Sequence, residues 1–360
     1  MTLAQHLRQA NGARMEIVNV MISKIEGGIE QMFLNYNIAL KKSGFDVIAV
    51  VDKKCALKKN IRTKIVEINF QKYNPLLILK LYFKLKKFAP DVIVVHSKKA
   101  IPMFKVLSKM LKSKLVGVAH NPKIKRLEMC DGIFSVTQNQ LDKMHEAGLE
   151  TKSMFVVPNM IEMPNKEPVY QPYRKPVIIG TMGRFEPIKG FCDLLDALSL
   201  LKKKGVPFRA IIGGKNNAAY DAEEKRIFQK VKDLKLEDDV TFCGWVSDKA
   251  AFFKNIDVFV LPSLEESFGV VLLEAALFKK PIVCSDADGP KEVWANTDAA
   301  LVFERGNVKM LAGKLEEMIK KPAFAQETAQ KAYTLVKNKY SINAAAKILA
   351  EALESVAEEK

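Results

Sequence analysis

No apolar run in this 360-residue chain reaches the roughly 18 residues that a membrane-spanning helix needs. The first residues, MTLAQHLRQANGAR, lack the apolar core of a signal peptide. Histidine is scarce, limited to His6, His96, His120 and His145, and neither HExxH nor a paired His spacing occurs, so zinc chemistry has no basis. The five cysteines (Cys55, Cys130, Cys192, Cys243 and Cys284) are scattered with no CxxC pair. They read as reduced core residues, and the chain as cytoplasmic. GxGxxG is missing, and so is GxxxxGK followed by Ser or Thr, which disfavours a dinucleotide-dependent dehydrogenase or a P-loop enzyme. Internal repeats and low-complexity segments are absent too.

Acidic residues are nearly missing from one region. Between Lys53 and Arg126 stand 20 Lys or Arg against only Glu67 and Asp91, a net of +18. The remainder, 37 basic and 39 acidic residues, is nearly balanced, so the whole excess of the +16 chain lies in the first half. A charge run this one-sided favours an anionic partner over a merely solvated face.

Short apolar runs alternate with amphipathic, helix-length segments. Strands are expected at 14–21, 46–51, 91–95, 114–119, 132–136 and 153–157, with helices at 29–43, 76–88, 98–112 and 138–147. A Pro-rich stretch, PNKEPVYQPYRKP (164–176), interrupts the pattern. It restarts with strands near 177–182, 208–213, 239–243, 257–260, 281–284 and 300–303. Strand–helix alternation argues for parallel sheets covered by helices, and its repetition argues for two α/β domains. The expected limits are 14–165 and 176–340, followed by a helix at 341–360 that packs back on the first domain. Residues 1–13 would be a dispensable extension. In open sheets of this kind, ligands bind beyond the carboxyl ends of the strands.

Five features fall at such ends. KIEGGIE follows the first strand, and its paired Gly27 and Gly28 would let backbone approach an anion at a helix N-terminus. GTMGRFEPIKG (180–190) opens the second domain with Gly183, Arg184 and Lys189, two cations beside a glycine turn that suit a diphosphate. His96 and His120 each close a strand, where a buried structural histidine is the common case. SDADGP (285–290) offers Asp286 and Asp288, which read as turn chemistry rather than as metal ligands. Finally, EESFGVVLLEAALFKKPIV (265–283) sets one carboxylate, Glu274, inside an apolar helical run. A buried carboxylate there needs a partner.

EGGIE, PNMIE, GRFEPIKG and PSLEESFGVVLLEA, in that order, resemble the retaining glycosyltransferases of family four. Within them the lipopolysaccharide core enzymes are the nearest subgroup. The resemblance implies a GT-B fold, two Rossmann-like domains with parallel sheets facing across a cleft. It also implies transfer of a sugar from a nucleoside diphosphate donor to an acceptor hydroxyl, with retention and without a metal or other cofactor. Glu266 and Glu274 match the family's Glu-x7-Glu pattern. By that match Glu274 would hold the ribose hydroxyls, Glu266 would face the sugar, and the amides of Ser267, Phe268, Gly269 and Val270 would hold the diphosphate. Arg184 and Lys189 would neutralise the departing diphosphate, and His120 would lie near the sugar and leaving oxygen. Gly27 and Gly28 would bring backbone close to the donor, Gly183 would also bind it, and pieces of 213–215 with Gly214 and of 242–246 with Trp245 and Val246 would frame the base.

Three departures bear on the donor. The usual Pro-Asn-Gly-Val-Asp is here Pro158-Asn159-Met160-Ile161-Glu162. A Gly-Gly after Cys284 is reduced to Asp288-Gly289-Pro290, and Gly-x-Gly-Pro reads Gly213-Gly214-Lys215-Asn216. Two rivals stand beside this reading: a nucleotide-sugar epimerase of the same fold, and a nucleic-acid-binding protein suggested by charge alone. The second is disfavoured, since the basic residues are not interleaved with stacking aromatics and no recognised module occurs. The expected anionic partner is instead a membrane surface on the cytoplasmic side, presenting a glycan or lipid-linked acceptor. Lys80, Lys84 and Lys87 of PLLILKLYFKLKKF (75–88) would share the docking face of one helix, with Leu77, Leu81, Leu85 and Phe88 on the adjoining stripe.

Overall fold

The computed structural model describes residues 14–24, 27–71, 74–149, 153–215 and 221–358. The extension 1–13, Glu26 of EGGIE and Asn216 lie outside the described residues.

The chain divides into two compact units, 1–162 with 340–360, and 163–339. The first begins with β1 (Glu16–Met21), α1 (Gly28–Lys42), β2 (Asp46–Asp52), β3 (Lys64–Ile68), α2 (Pro75–Leu85) and β4 (Val92–Val95). It continues through α3 (Ile101–Leu111), β5 (Lys114–Ala119), β6 (Gly132–Ser135), α4 (Gln138–Glu146) and β7 (Ser153–Val156). Its seven strands form a parallel sheet in the order β3-β2-β1-β4-β5-β6-β7.

The second unit runs β8 (Val177–Arg184), α5 (Phe191–Lys203), β9 (Phe208–Lys215), α6 (Asp221–Asp233), β10 (Val240–Gly244) and α7 (Lys249–Lys254). Then come β11 (Val258–Leu261), α8 (Val270–Leu277), β12 (Ile282–Ser285), α9 (Asp288–Trp294), β13 (Leu301–Phe303), α10 (Val308–Lys320) and α11 (Pro322–Leu335). Its six-stranded sheet is also parallel, in the order β10-β9-β8-β11-β12-β13. The Pro-rich segment groups with this unit, because Glu167 pairs with Lys279 at 2.6 Å and Arg174 with the buried Asp257 at 2.9 Å. After a π-helical turn, Val336–Tyr340, the chain re-enters the first unit and ends in α12 (Ile342–Glu358), which packs on α1.

The central strands are apolar runs because both faces are covered: β4, β6, β11 and β12 are buried along their whole length. Leu81 and Leu85 of α2, with Phe104 and Leu107 of α3, close one face of the first sheet over Val18, Ile48 and Ile93. Phe33 and Leu34 of α1 close the other over Met21, Ala49 and Val51.

Four expectations are corrected here. β3 falls where no strand was expected. It is an edge strand, KIVEI, in which only Val66 and Ile68 are buried, so Lys64 and Glu67 sink its signal into the surrounding charge run. And α2 stops at Leu85, ahead of Ala89, whose φ of 44° and following Pro90 cannot continue a helix. Lys87, exposed, therefore lies just past the end of the helix that carries Lys80 and Lys84. Leu77, Leu81, Leu85 and Phe88 do pack on the core. The segment 98–112 also splits, into a 3-10 turn (Lys98–Ala100) and then α3, and the first strand begins at Glu16 rather than at residue 14.

Candidate active site

The second unit gathers most of the expected site at the carboxyl ends of its strands. β8 and β9 are in register to their last residues, Gly183 beside Gly214 and Arg184 beside Lys215. They sit so close that a Cβ on Gly214 would lie 2.1 Å from the Gly183 carbonyl oxygen, so of the GGK triplet Gly214 is the glycine this contact demands. Gly213 leaves room for Val246, whose Cγ2 would stand 2.4 Å from an added Cβ. Trp245 is exposed beside it, with the Lys215 ammonium 5.8 Å from the ring centroid. The residues expected to frame a base thus adjoin one another.

Beyond β8 the chain makes a 3-10 turn, Pro187–Lys189, and enters α5 through Gly190. Gly190 is left-handed (φ 67°), and a Cβ there would lie 2.1 Å from the Pro262 carbonyl oxygen. That contact brings the GRFEPIKG turn against the loop after β11. Across it the Lys189 ammonium donates to Glu266 Oε2 at 2.7 Å, both side chains partly buried. Arg184, largely exposed, pairs at 3.0 Å with the buried Glu186. Both cations therefore stand on the GRFEPIKG segment, and Lys189 ties it to the first carboxylate of the Glu-x7-Glu pair.

The helix carrying the second carboxylate, α8, starts at Val270, with Gly269 (φ 83°) as its N-cap, so Glu266 stands on the loop and Glu274 about one turn in. That loop lies against Gly289: a Cβ on Gly289 would meet Phe268 N and Cα at 2.4 Å, and the Gly289 N–H donates to the Glu266 carbonyl oxygen at 2.9 Å. One glycine of the reduced Gly-Gly is thus the one the backbone contact requires. Asp286 and Asp288 both face Arg305, at 3.9 and 3.6 Å, and Asp286 also accepts the Arg305 N–H at 2.8 Å, in keeping with turn chemistry.

Glu274 is buried, and burial pushes its carboxyl above the ordinary range although Lys249 opposes the shift. The Lys249 ammonium of α7 donates to Glu274 Oε1 at 2.5 Å. Sequence reasoning missed this partner. It sits 25 residues upstream on another helix, and no spacing rule links the two.

In the first unit, Gly27 caps α1 with extended backbone, and Gly28 has open space where a Cβ would stand. β4 and β5 are neighbours, so the two strand-closing histidines meet: His96 Nδ1 lies 3.2 Å from His120 Nε2, with the rings stacked. His96 is further enclosed by Phe33 and Tyr36, edge-on at 5.7 and 4.7 Å. Burial, then His120, drives His96 well below its ordinary value. Burial, then the Lys98 charge, drives His120 down to about 3. Both imidazoles are neutral at pH 7. Lys98 itself, half-buried and facing Lys123, is lowered to about 8, and it donates to Asn121 Oδ1 at 2.9 Å. The lost glycine of PNMIE is replaced by Met160, which is fully buried and whose carbonyl oxygen accepts from Asn35 Nδ2 at 2.6 Å.

Against known proteins, the family model for glycosyl transferases group 1 matches residues 162–354. The chain is 24% identical over 326 residues to the lipopolysaccharide core biosynthesis glycosyltransferase LpsE of Rhizobium meliloti, covering 88% of this chain and 92% of that protein. It is 26% identical over 179 residues to the capsular polysaccharide biosynthesis glycosyltransferase CapM of Staphylococcus aureus, over 50% of this chain and 45% of that one. Among solved structures, Anabaena Alr3699/HepE in complex with UDP is similar, with a TM-score of 0.78 at 20% identity over 95% of this chain and 100% of that one. That likeness gives the two parallel-sheet units the GT-B fold. With its family model matched over more than half of the residues, the chain belongs to the glycosyl transferases group 1 family.

Proposed function

We propose that this glycosyltransferase moves a sugar from a nucleoside diphosphate donor to an acceptor hydroxyl, with retention at the anomeric carbon and without a metal or other cofactor, in assembly of a cell-surface glycan on the cytoplasmic side. The observation that carries the reading is the Lys189–Glu266 pair, which ties the segment bearing Arg184 and Lys189 to the loop that opens α8. A diphosphate there meets two cations and the positive end of a helix, which together suit the charge that grows as it departs. The likeness to HepE structures holding UDP and UDP-glucose supports a nucleoside diphosphate sugar as donor.

In this reading the bond from the anomeric carbon to the diphosphate oxygen breaks while the acceptor oxygen bonds the same face of that carbon. The acceptor proton passes to the departing phosphate oxygen. Arg184 and Lys189 hold the phosphates and Glu266 faces the sugar. Glu274 accepts from the ribose hydroxyls, a role for which Lys249 must share the carboxylate. Val270 and its neighbours supply amides, and Trp245 and Val246 flank the base. For His120, Gly27 and Gly28 the donor role rests on the family resemblance.

The test is incubation with UDP-, GDP- and ADP-sugars, with and without EDTA, followed by proton NMR of the product. Transfer that survives the chelator and keeps the anomeric configuration is expected. An inverted product, activity restored only by magnesium or manganese, or isomerised donor with no acceptor present would contradict the reading.

A further inference from the structure

A helix that covers a sheet ordinarily turns polar residues outward. Helix α2 does not. Leu81 and Leu85 are buried, and Leu77, Ile78 and Tyr82 pack against the same core, yet Leu76, Leu79 and Phe83 are 77%, 46% and 64% exposed. These three recur at i, i+3 and i+7, one stripe on the side opposite the core. Lys80 and Lys84 flank the stripe on one side, both exposed, and Lys86 and Lys87 follow it in sequence. The neighbouring α3 packs beside α2 on the same sheet face and adds Val106 and Met110, 48% and 40% exposed at i and i+4, with Lys109 exposed next to them. Neither helix contains an acidic residue.

We infer that this face docks on an anionic lipid bilayer, with Leu76, Leu79 and Phe83 entering the headgroup boundary and the lysines holding lipid phosphates. Apolar contact and charge each point to that occupant. The apolar stripe gains by leaving water, and lysines on helices that carry no acidic residue meet the complementary charge of the leaflet. α2 has 11 residues, and among the described residues no helix is long and apolar enough to cross a membrane, so the contact is interfacial. The expected lysine face, Lys80 with Lys84, thus edges an apolar stripe. The inference deepens the proposed reading by making the acceptor lipid-borne, and rests on it only for that.

The test is sedimentation of the full chain with phosphatidylcholine vesicles, with and without phosphatidylglycerol, in the absence of donor and acceptor. Binding is expected to phosphatidylglycerol vesicles at low salt, with a residue that resists high salt. Leu76→Ser/Leu79→Ser/Phe83→Ser should abolish the salt-resistant part and weaken binding at least about tenfold. Lys80→Glu/Lys84→Glu should weaken low-salt binding by roughly tenfold or more. Phe83→Trp should give blue-shifted emission on vesicles relative to wild type. All the substituted side chains are exposed, and circular dichroism with thermal unfolding verifies that each variant is folded. Absence of low-salt binding, wild-type binding by the serine variant, or unshifted Phe83→Trp emission overturns the inference. So does sedimentation velocity in which the stripe joins two copies of the chain while vesicles stay unbound. Because no sugar is present, loss of docking leaves the donor reading intact, and loss of donor binding leaves docking intact.

Discussion

At the ends of β4 and β5 two imidazoles, His96 and His120, are kept neutral by burial, whereas at the ends of β8 and β11 the ionisable groups stand in pairs, Arg184 with Glu186 and Lys189 with Glu266. The same architecture, a parallel sheet opening at its carboxyl edge, thus serves two electrostatic regimes. Neutral imidazoles offer one donor and one acceptor nitrogen each and suit hydroxyls. Cations already balanced by carboxylates can turn to a phosphate without leaving a bare charge in the empty site. The difference lies in side chains at strand ends, while the strands beneath are interchangeable apolar runs.

The largest way to break this contrast is to remove a cation from the ionic end. Lys189→Ala should lower kcat by roughly 100- to 1000-fold, about 3–4 kcal/mol, read from steady-state rates. Lys189→Arg should recover part of the loss, and a variant as fast as wild type would remove the lysine from the mechanism. Next, Glu274→Gln should weaken donor binding by about 1.5–3 kcal/mol, measured by calorimetry. Its stability should move the other way. The folded carboxyl sits above its ordinary value, so its contribution is complete at low pH and declines as pH rises through that shifted value. Near neutral pH the variant should unfold no earlier than wild type. A large loss of stability there would mean that the Lys249 pair holds the fold together.

A smaller effect sharpens how the ionic end is built. Gly289→Ala presses a Cβ on the Phe268 backbone and should cost about 1–3 kcal/mol in denaturant unfolding, with donor affinity falling alongside. The smallest effect belongs to the neutral end. His96 and His120 have folded values below the ordinary 6.5, so the unfolded chain takes up protons that the folded pair refuses. Stability is complete above about pH 6.5 and falls as pH drops from there. His96→Gln should flatten that fall by up to one proton, about 1.4 kcal/mol per pH unit. Parallel curves for variant and wild type would show that the pair is not held neutral.

Legibility in the sequence followed the range of the interaction. Apolar runs such as VIVV and VFVL announce buried strands because burial on both faces removes alternation, whereas KIVEI at the sheet edge keeps its charges and was missed. GRFEPIKG and EESFGVVLLEA were readable because glycine, cation and carboxylate fall within a few residues of one turn. Lys249 against Glu274, Gly289 under Phe268 and His96 beside His120 join segments from different strands and helices, and only the assembled sheet brings them together. The exposed side of α2 escaped for another reason. PLLILKLYFKL is apolar nearly all round, and periodicity alone does not say which of two leucine stripes faces the core.

If the ionic end of the second sheet works as proposed, it holds a nucleoside diphosphate. Calorimetric titration of the full chain with UDP, GDP and ADP in the presence of EDTA tests it most directly. At least one of the three is expected to bind wild type, with both Lys189→Ala and Glu274→Gln weakening it and Lys80→Glu/Lys84→Glu leaving it unchanged. Binding by none of them, or equal binding by wild type and both site variants, would contradict it.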